Sequence, residues 1–225
     1  MTFSIVGRCA QSGQLGVAIS SSSIAVGARC PWVRAGVGVV ATQNVTLPAL
    51  GPQILDLLES GQFDPAAALD RVLGASDWSE YRQVTVVDSQ GRTAFFSGKE
   101  ALGTYHAVAG KQCVAAGNML AGVEVIEAMV PAFEQTAGPL ADRLLAAMHA
   151  AMAAGGEAGP VHSAALRIVG DVSWPIVDLR VDWADDDPIG QLEGLWRAYQ
   201  PQMQDYLTRA LNPTAAPSYG VPGNE

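Results

Sequence analysis

The chain has 225 residues, 49% of them hydrophobic, which suffices for one substantial core plus a tail and is short for two average domains. A formal net charge of -9 and a pI near 4.7 argue against nucleic acid or an anionic membrane as partner, because polyanions are repelled rather than steered inward. No stretch approaches the roughly 18 uninterrupted apolar residues of a membrane span, and no basic segment leads into an apolar one at the N-terminus, so a cytoplasmic protein acting on a small polar molecule is expected.

In chain order, Met1 precedes Thr2 and an apolar alternation (Phe3, Ile5) that predicts a strand over 3–9. "QSGQ" (11–14) reads as a turn, and "LGVAISSSS" (15–23) as the returning strand of an antiparallel hairpin. "AGVGVVATQ" (35–43) is a glycine-spaced β-branched run, a third strand whose glycines permit close approach of backbone or ligand. Residues 50–61 and 64–75 switch to helical spacing, the second helix with Asp64 as N-cap and Pro65 at its first position. A strand pair around "DSQG" follows over 81–98, then one or two strands over 105–120. "VEVIEAMVPAFEQ" and "PLADRLLAAMHAAMAA" predict two helices, closed by Gly155 and Gly156. "HSAALRIVG" and "WPIVDLRVDW" predict a hairpin, and a last helix runs from Asp187 as N-cap and Pro188 to about Leu211. One domain over 1–211 and a loose Pro/Gly-rich tail over 212–225 result. Strand pairs segregated from helix pairs imply an α+β fold, with antiparallel sheets and helices packed outside in a four-layer α-β-β-α sandwich.

"MTFSIVGR", "GVAISSSSIAVGARCPWVRAGVGVVATQNVT", "AGNMLAG", "HSAALRIV" and "DLRVD" together resemble the family of domain of unknown function 1028, whose fold is similar to the N-terminal-nucleophile hydrolases. The resemblance runs from Met1 to about residue 211 and implies hydrolysis of an amide in a small nitrogen-containing metabolite. It also carries a nucleophile's position onto Thr2, at the start of the first strand. That family commonly has glutamine before the "SAAL" motif, where this chain has His162.

Thr2 has two readings: a β-branched residue opening a strand, or a nucleophile whose own α-amine, freed by removal of Met1, serves as general base. Ser20, Ser21, Ser22 and Ser23 end the strand opposite it; alternation sends two hydroxyls to each face, to bind substrate or to allow close packing, with Ser21 the member assigned to catalysis. Arg29 and Arg34 flank "CPW" and suit a carboxylate or ordinary surface pairing, while Cys30 is a substrate contact or an apolar filler. Gln43 and Asn44 at the end of the third strand, and Asn118 after Gly117, offer side-chain amides to an oxyanion or substrate, or cap turns. His162 is a general acid or base, or structural. His106 and His149 lie on separate elements with no ligand spacing, and the aspartates of "DLRVDWADDDP" read as a charge row around Arg180 and a helix cap, so neither a metal nor an organic cofactor is expected. Cys9, Cys30 and Cys113, odd in number and widely spaced, are expected as free thiols. The function expected is amide hydrolysis, with a non-catalytic binding or assembly protein as the alternative.

The helices over 122–134 and 139–154 carry more apolar surface than one sheet face uses, which points to a homodimer unless the last helix covers them within the chain.

Overall fold

Two antiparallel sheets and five α-helices make up the described residues, 1–220, of this computed structural model. The first hairpin, β1 (Thr2–Arg8) and β2 (Leu15–Ser21), lies in the middle of the larger sheet. β8 (Cys113–Asn118) and β7 (His106–Gly110) extend it beyond β1, while β9 (Ser163–Val169) and β10 (Pro175–Val181) extend it beyond β2. The smaller sheet runs β3 (Pro31–Arg34), β4 (Gly38–Asn44), β5 (Arg82–Asp88), β6 (Thr93–Ser97).

Period-two alternation assigns each strand two duties. On β1 and its neighbours, Phe3, Ile5, Ala18, Cys113, Ala115, Leu166 and Ile168 pack against α3 (Glu124–Gln135), α4 (Leu140–Ala153) and α5 (Pro188–Leu211). The alternate residues Val6, Leu15, Val17, Val114 and Val169 meet Val39, Ala41 and Val87 of the other sheet. The outer face of that second sheet, Val40, Val84 and Val86, is covered by α1 (Leu50–Glu59) and α2 (Pro65–Gly74). Thr2, Ser4 and Val6 share the face that looks at the second sheet. Any chemistry on Thr2 therefore takes place at the end of the seam between sheets.

Several local signals act as expected. Asp64 Oδ1 accepts from the amide of Ala67 at 2.8 Å with Pro65 at the first helical position, and Asp187 Oδ1 accepts from Gly190 at 2.9 Å ahead of α5. Other elements differ from the expectation. β3 is a separate four-residue edge strand, where Pro31 is tolerated because an edge needs fewer ladder donors and where no alternation is long enough to announce it. Ser22 and Ser23 lie beyond β2, because the Ser23 amide turns back onto Ser21 Oγ at 3.1 Å instead of continuing the ladder. Asp178 pairs with its cross-strand neighbour Arg167 at 2.9 Å rather than with Arg180, whose stem lies against Gly27.

Leu144, Leu145, Ala147, Met148 and Ala151 of α4 are buried, and Ile189, Leu192 and Trp196 of α5 belong to the same core. Trp196 Nε1 donates to Asp142 Oδ1 at 2.6 Å, and His149 on α4 contacts Glu193 at 3.0 Å. α5 thus covers part of the apolar surplus that points to a second copy, while Met152 on α4 stays 40% exposed. The chain beyond α5 returns to the helix, where Arg209 lies over the Tyr219 ring at 3.9 Å and donates to the Pro217 carbonyl; the rest of the expected tail, 221–225, lies outside the described residues. Among those described, no helix is long and apolar enough to cross a membrane.

Candidate active site at the start of the first strand

Thr2 is flanked in register by Ser21 of β2 and Asn118 of β8, which makes it an interior position of the sheet although it is second in the chain. It is 7% exposed. Its Oγ1 lies 3.1 Å from Ser21 Oγ, and both hydroxyls donate to the Met1 carbonyl at 2.5 Å. Ser21 Oγ is in turn 2.8 Å from Ser23 Oγ, which accepts from Arg29 Nη2 at 2.5 Å. A chain of hydroxyls thus runs from Thr2 to a guanidinium. Arg29 also holds the Ile24 and Ala25 carbonyls, so its charge is anchored to the loop that shapes this end of the sheet.

Behind Thr2, between the sheets, lies a buried amide network. Ser4 Oγ donates to Gln43 Oε1 at 2.6 Å, and Gln43 Nε2 donates to Gln83 Oε1 at 2.8 Å and to the Ala116 carbonyl at 3.1 Å. Asn118 Nδ2 also donates to Gln83 Oε1, at 3.1 Å, while Gln83 Nε2 reaches Ser97 Oγ and the His106 and Gly117 carbonyls. A connected network of this kind fixes the relative register of the two sheets. Asn118 Oδ1 is its loose end, 0% exposed and without a hydrogen-bond partner.

The second loose end is Glu157. It is 5% exposed, its Oε2 accepts from the Ser22 amide at 3.2 Å, and its Oε1 is buried without a partner. Burial pushes its carboxyl up to about 8, against the opposing influence of the Met1 α-amine and the bonds from Ser22. Gly155 and Gly156, with φ of 115° and 62°, turn the chain sharply out of α4 and let Glu157 pair with Leu120 in an isolated bridge. The Met1 side chain rests against Gly159, where an added Cβ would stand 3.0 Å from Met1 Cε.

The remaining predicted positions divide. Ser21 and Ser23 join Thr2 through their hydroxyls, Ser22 donates its amide to Glu157, and Gln43 and Asn118, the latter paired with Thr2 in register, belong to the amide network. Ser20 Oγ donates to the Ser163 carbonyl at 2.9 Å and is buried, tying β2 to β9. Cys30 sits among Ile19, Val26 and Ala165, and burial pushes its thiol up to about 11, as suits a filler. Asn44, with φ of 70°, donates to the Tyr81 carbonyl at 2.6 Å and accepts from the Leu102 amide, pinning loops rather than facing Thr2. His162 donates its backbone amide to the Ser21 carbonyl, but its ring stacks on Trp183 at 4.3 Å and Nδ1 bonds the Ala184 carbonyl at 2.8 Å. Arg34 pairs with Asp56 and Glu59 on the surface. Cys9, Cys30 and Cys113 are free thiols, and among the described residues no group of three or more His, Cys, Asp and Glu converges as a metal site would require.

Gln83 and Glu157 escaped the sequence reading. Gln83 had a signal, a polar residue in phase with Thr85 and Val87 on the inward face of an apolar strand. Glu157 had none, since it lies in a glycine-rich loop without periodicity.

The family model described as "Family of unknown function (DUF1028)" matches residues 2–192. Protein SPO2555 from Silicibacter pomeroyi, whose crystal structure carries the same family assignment, is 32% identical, with a TM-score of 0.82 over 88% of this chain and 89% of that one. Anbu (ancestral beta-subunit) from Yersinia bercovieri is 11% identical with a TM-score of 0.42, over 97% of this chain and 100% of that one. A Gly-1 mutant of Anbu from Hyphomicrobium sp. strain MC1 is 13% identical with a TM-score of 0.45, over 98% and 100%. No curated protein matches the chain. A family match spanning most of the sequence, and a solved relative sharing a third of its residues and nearly all of its fold, make this chain a member of the DUF1028 family.

Proposed function

We propose that the protein is an amidohydrolase of the N-terminal-nucleophile type, with the two sheets and their outer helices forming a four-layer α-β-β-α sandwich and Thr2 as nucleophile. The observation that carries this reading is the placement of Thr2. Thr2, the residue after Met1, is held between two paired strands, its hydroxyl beside a second hydroxyl and at the end of a chain leading to Arg29.

Removal of Met1 frees the Thr2 amine and vacates the acceptor on which both hydroxyls now converge. The amine takes the proton of Oγ1 as that oxygen attacks the substrate carbonyl carbon. The carbonyl π pair moves to oxygen, and Ser21 Oγ, whose own oxygen accepts from the Ser23 amide, donates to the resulting oxyanion. On collapse the C–N bond breaks, the leaving nitrogen takes the proton from the Thr2 ammonium, and an ester remains on Oγ1. Water, deprotonated by the same amine, cleaves the ester and restores Thr2. Neither metal nor organic cofactor enters these steps.

The competing reading, a binding or assembly protein that keeps this fold without turnover, draws on the same structure. With Met1 in place, the Thr2 nitrogen is an amide and its hydroxyl is engaged. Comparing the Met1-processed wild type with Thr2→Ala on a panel of small amides separates the two. Hydrolysis by the wild type is expected, with loss of at least about a thousandfold in the variant and a stability change near 1 kcal/mol from one lost hydroxyl hydrogen bond. Equal turnover removes Thr2 from the mechanism, and no turnover by either protein favours the binding reading.

A further inference from the structure

A second cavity, of about 470 Å³, opens where β1 ends. Its walls include Arg8 and Cys9 at that strand end, Lys111 and Gln112 in the turn between β7 and β8, and Glu134 and Arg143 where α3 passes into α4. Thr2 and Arg8 are the two ends of β1, about 20 Å apart along an extended strand, so this cavity is separate from the seam at Thr2. Three of the chain's 13 Lys and Arg residues meet one carboxylate here, in a molecule of net charge -9. Among the described residues none of the three is in an ion pair. Glu134 instead turns its Oε1 to the Lys111 backbone amide, at 2.6 Å.

Neutral partners hold two of these cations in place. The Arg143 guanidinium lies 4.0 Å over the ring of Phe133 and donates Nε to the Phe133 carbonyl at 3.1 Å. That ring is itself fixed, 0% exposed and so close to β1 that a Cβ on Gly7 would stand 2.6 Å from Cζ. Arg8 Nη1 donates to Gln112 Oε1 at 2.6 Å, and its Nε is buried without a partner. Like charges fixed around one space repel one another until an anion enters, and a guanidinium anchored on one side offers the rest of its fork to carboxylate or phosphate oxygens. We infer that this cavity binds a small organic anion, gripped by its carboxylate or phosphate oxygens through Arg8, Lys111 and Arg143, independently of any chemistry at Thr2. Its volume is that of a small-molecule pocket rather than of a single inorganic ion.

Cys9, in the same wall, reports on the site. Burial disfavours its thiolate, but hydrogen bonds from Ser12 and Gln11 and the Arg143 charge outweigh that and hold the thiol below its ordinary range. Cys30 and Cys113 are buried, and burial pushes both thiols up. The test is alkylation of the full chain by iodoacetate and by iodoacetamide, read by intact mass and peptide mapping, with N-acetylcysteinamide as the free-thiol standard. In both reactions Cys9 Sγ forms the bond to carbon and iodide leaves, so the ratio of the two rates does not depend on the thiolate fraction and reports the pull on the carboxylate. At Cys9 the iodoacetate-to-iodoacetamide ratio should exceed that of the standard at least about tenfold. Arg143→Gln should bring it near the standard, and Lys111→Gln, on an exposed turn, should lower it several-fold without disturbing the fold. At constant ionic strength set with chloride, millimolar succinate or glycerol phosphate should protect Cys9 from iodoacetamide; protection by succinate alone assigns a carboxylate ligand, by the phosphate ester alone a phosphorylated one, and by both the shared oxyanion. A ratio no higher than the standard's, a ratio unmoved in both variants, no protection by either anion, or a Cys9 that does not react each overturns the inference.

Discussion

Glu157 shows how one residue ties the site to stability. Its folded carboxyl is pushed up to about 8 by burial, above its ordinary 4.5, so between those values the folded chain holds a proton that the unfolded chain has released. Stability must then fall as pH rises through that window, because the state that binds more protons loses ground as protons become scarce. Glu157→Gln removes the titration. In the Met1-bearing protein, urea unfolding at pH 5 should give nearly equal stabilities for the two chains, and at pH 8.5 the variant should be the more stable, by at most about 5 kcal/mol. Parallel pH profiles would show that Glu157 is better solvated than its burial indicates.

At the scale of elements, close contacts explain where small residues were required. Gly51 on α1 faces the Trp32 ring of β3, and a Cβ there would stand 2.2 Å from Cδ1. Gly51→Ala should therefore cost about 1–3 kcal/mol through forced displacement of the ring or helix, despite alanine's better helix propensity. A stabilised variant in urea unfolding would contradict the packing described. This contact also marks the limit of what the sequence discloses. The hairpin of β1 and β2, the Asp64 and Asp187 caps and the glycine exit from α4 all act through neighbours in sequence, and all are legible there. β3 was not, because four residues carry too little periodicity to be read. Nor was the site fully legible. Thr2, Ser21, Gln43 and Asn118 stand out as polar residues at the ends of apolar strands, but Gln43 and Asn118 are joined through Gln83, and Ser22 is held by Glu157, which only folding brings near them. Asn44 carries the same side-chain amide group as its neighbour Gln43, yet as the next residue of the strand it takes up a loop carbonyl and a loop amide instead.

For the whole molecule, the decisive arrangement is a helix that closes one face and a chain start that opens the other end. α5 covers α4 through Ile189, Leu192 and Trp196, the last 3% exposed. Trp196→Ala should cost about 3–5 kcal/mol and bare apolar surface on α4; urea unfolding measures the first, and light scattering should show increased self-association. Stability within 1 kcal/mol of wild type would mean that α5 is an accessory. The larger claim is that the folded body exists to present Thr2 as a free N-terminal residue between β2 and β8, and a β-lactone tests it without knowledge of the substrate. Attack by Oγ1 on the lactone carbonyl opens the ring and leaves the whole lactone as an ester on Thr2. Intact-mass analysis with peptide mapping of protein from its native source should find a chain lacking Met1 and carrying one lactone on Thr2; a chain that retains Met1 or carries no adduct, or an adduct mapped to another residue, would contradict the account.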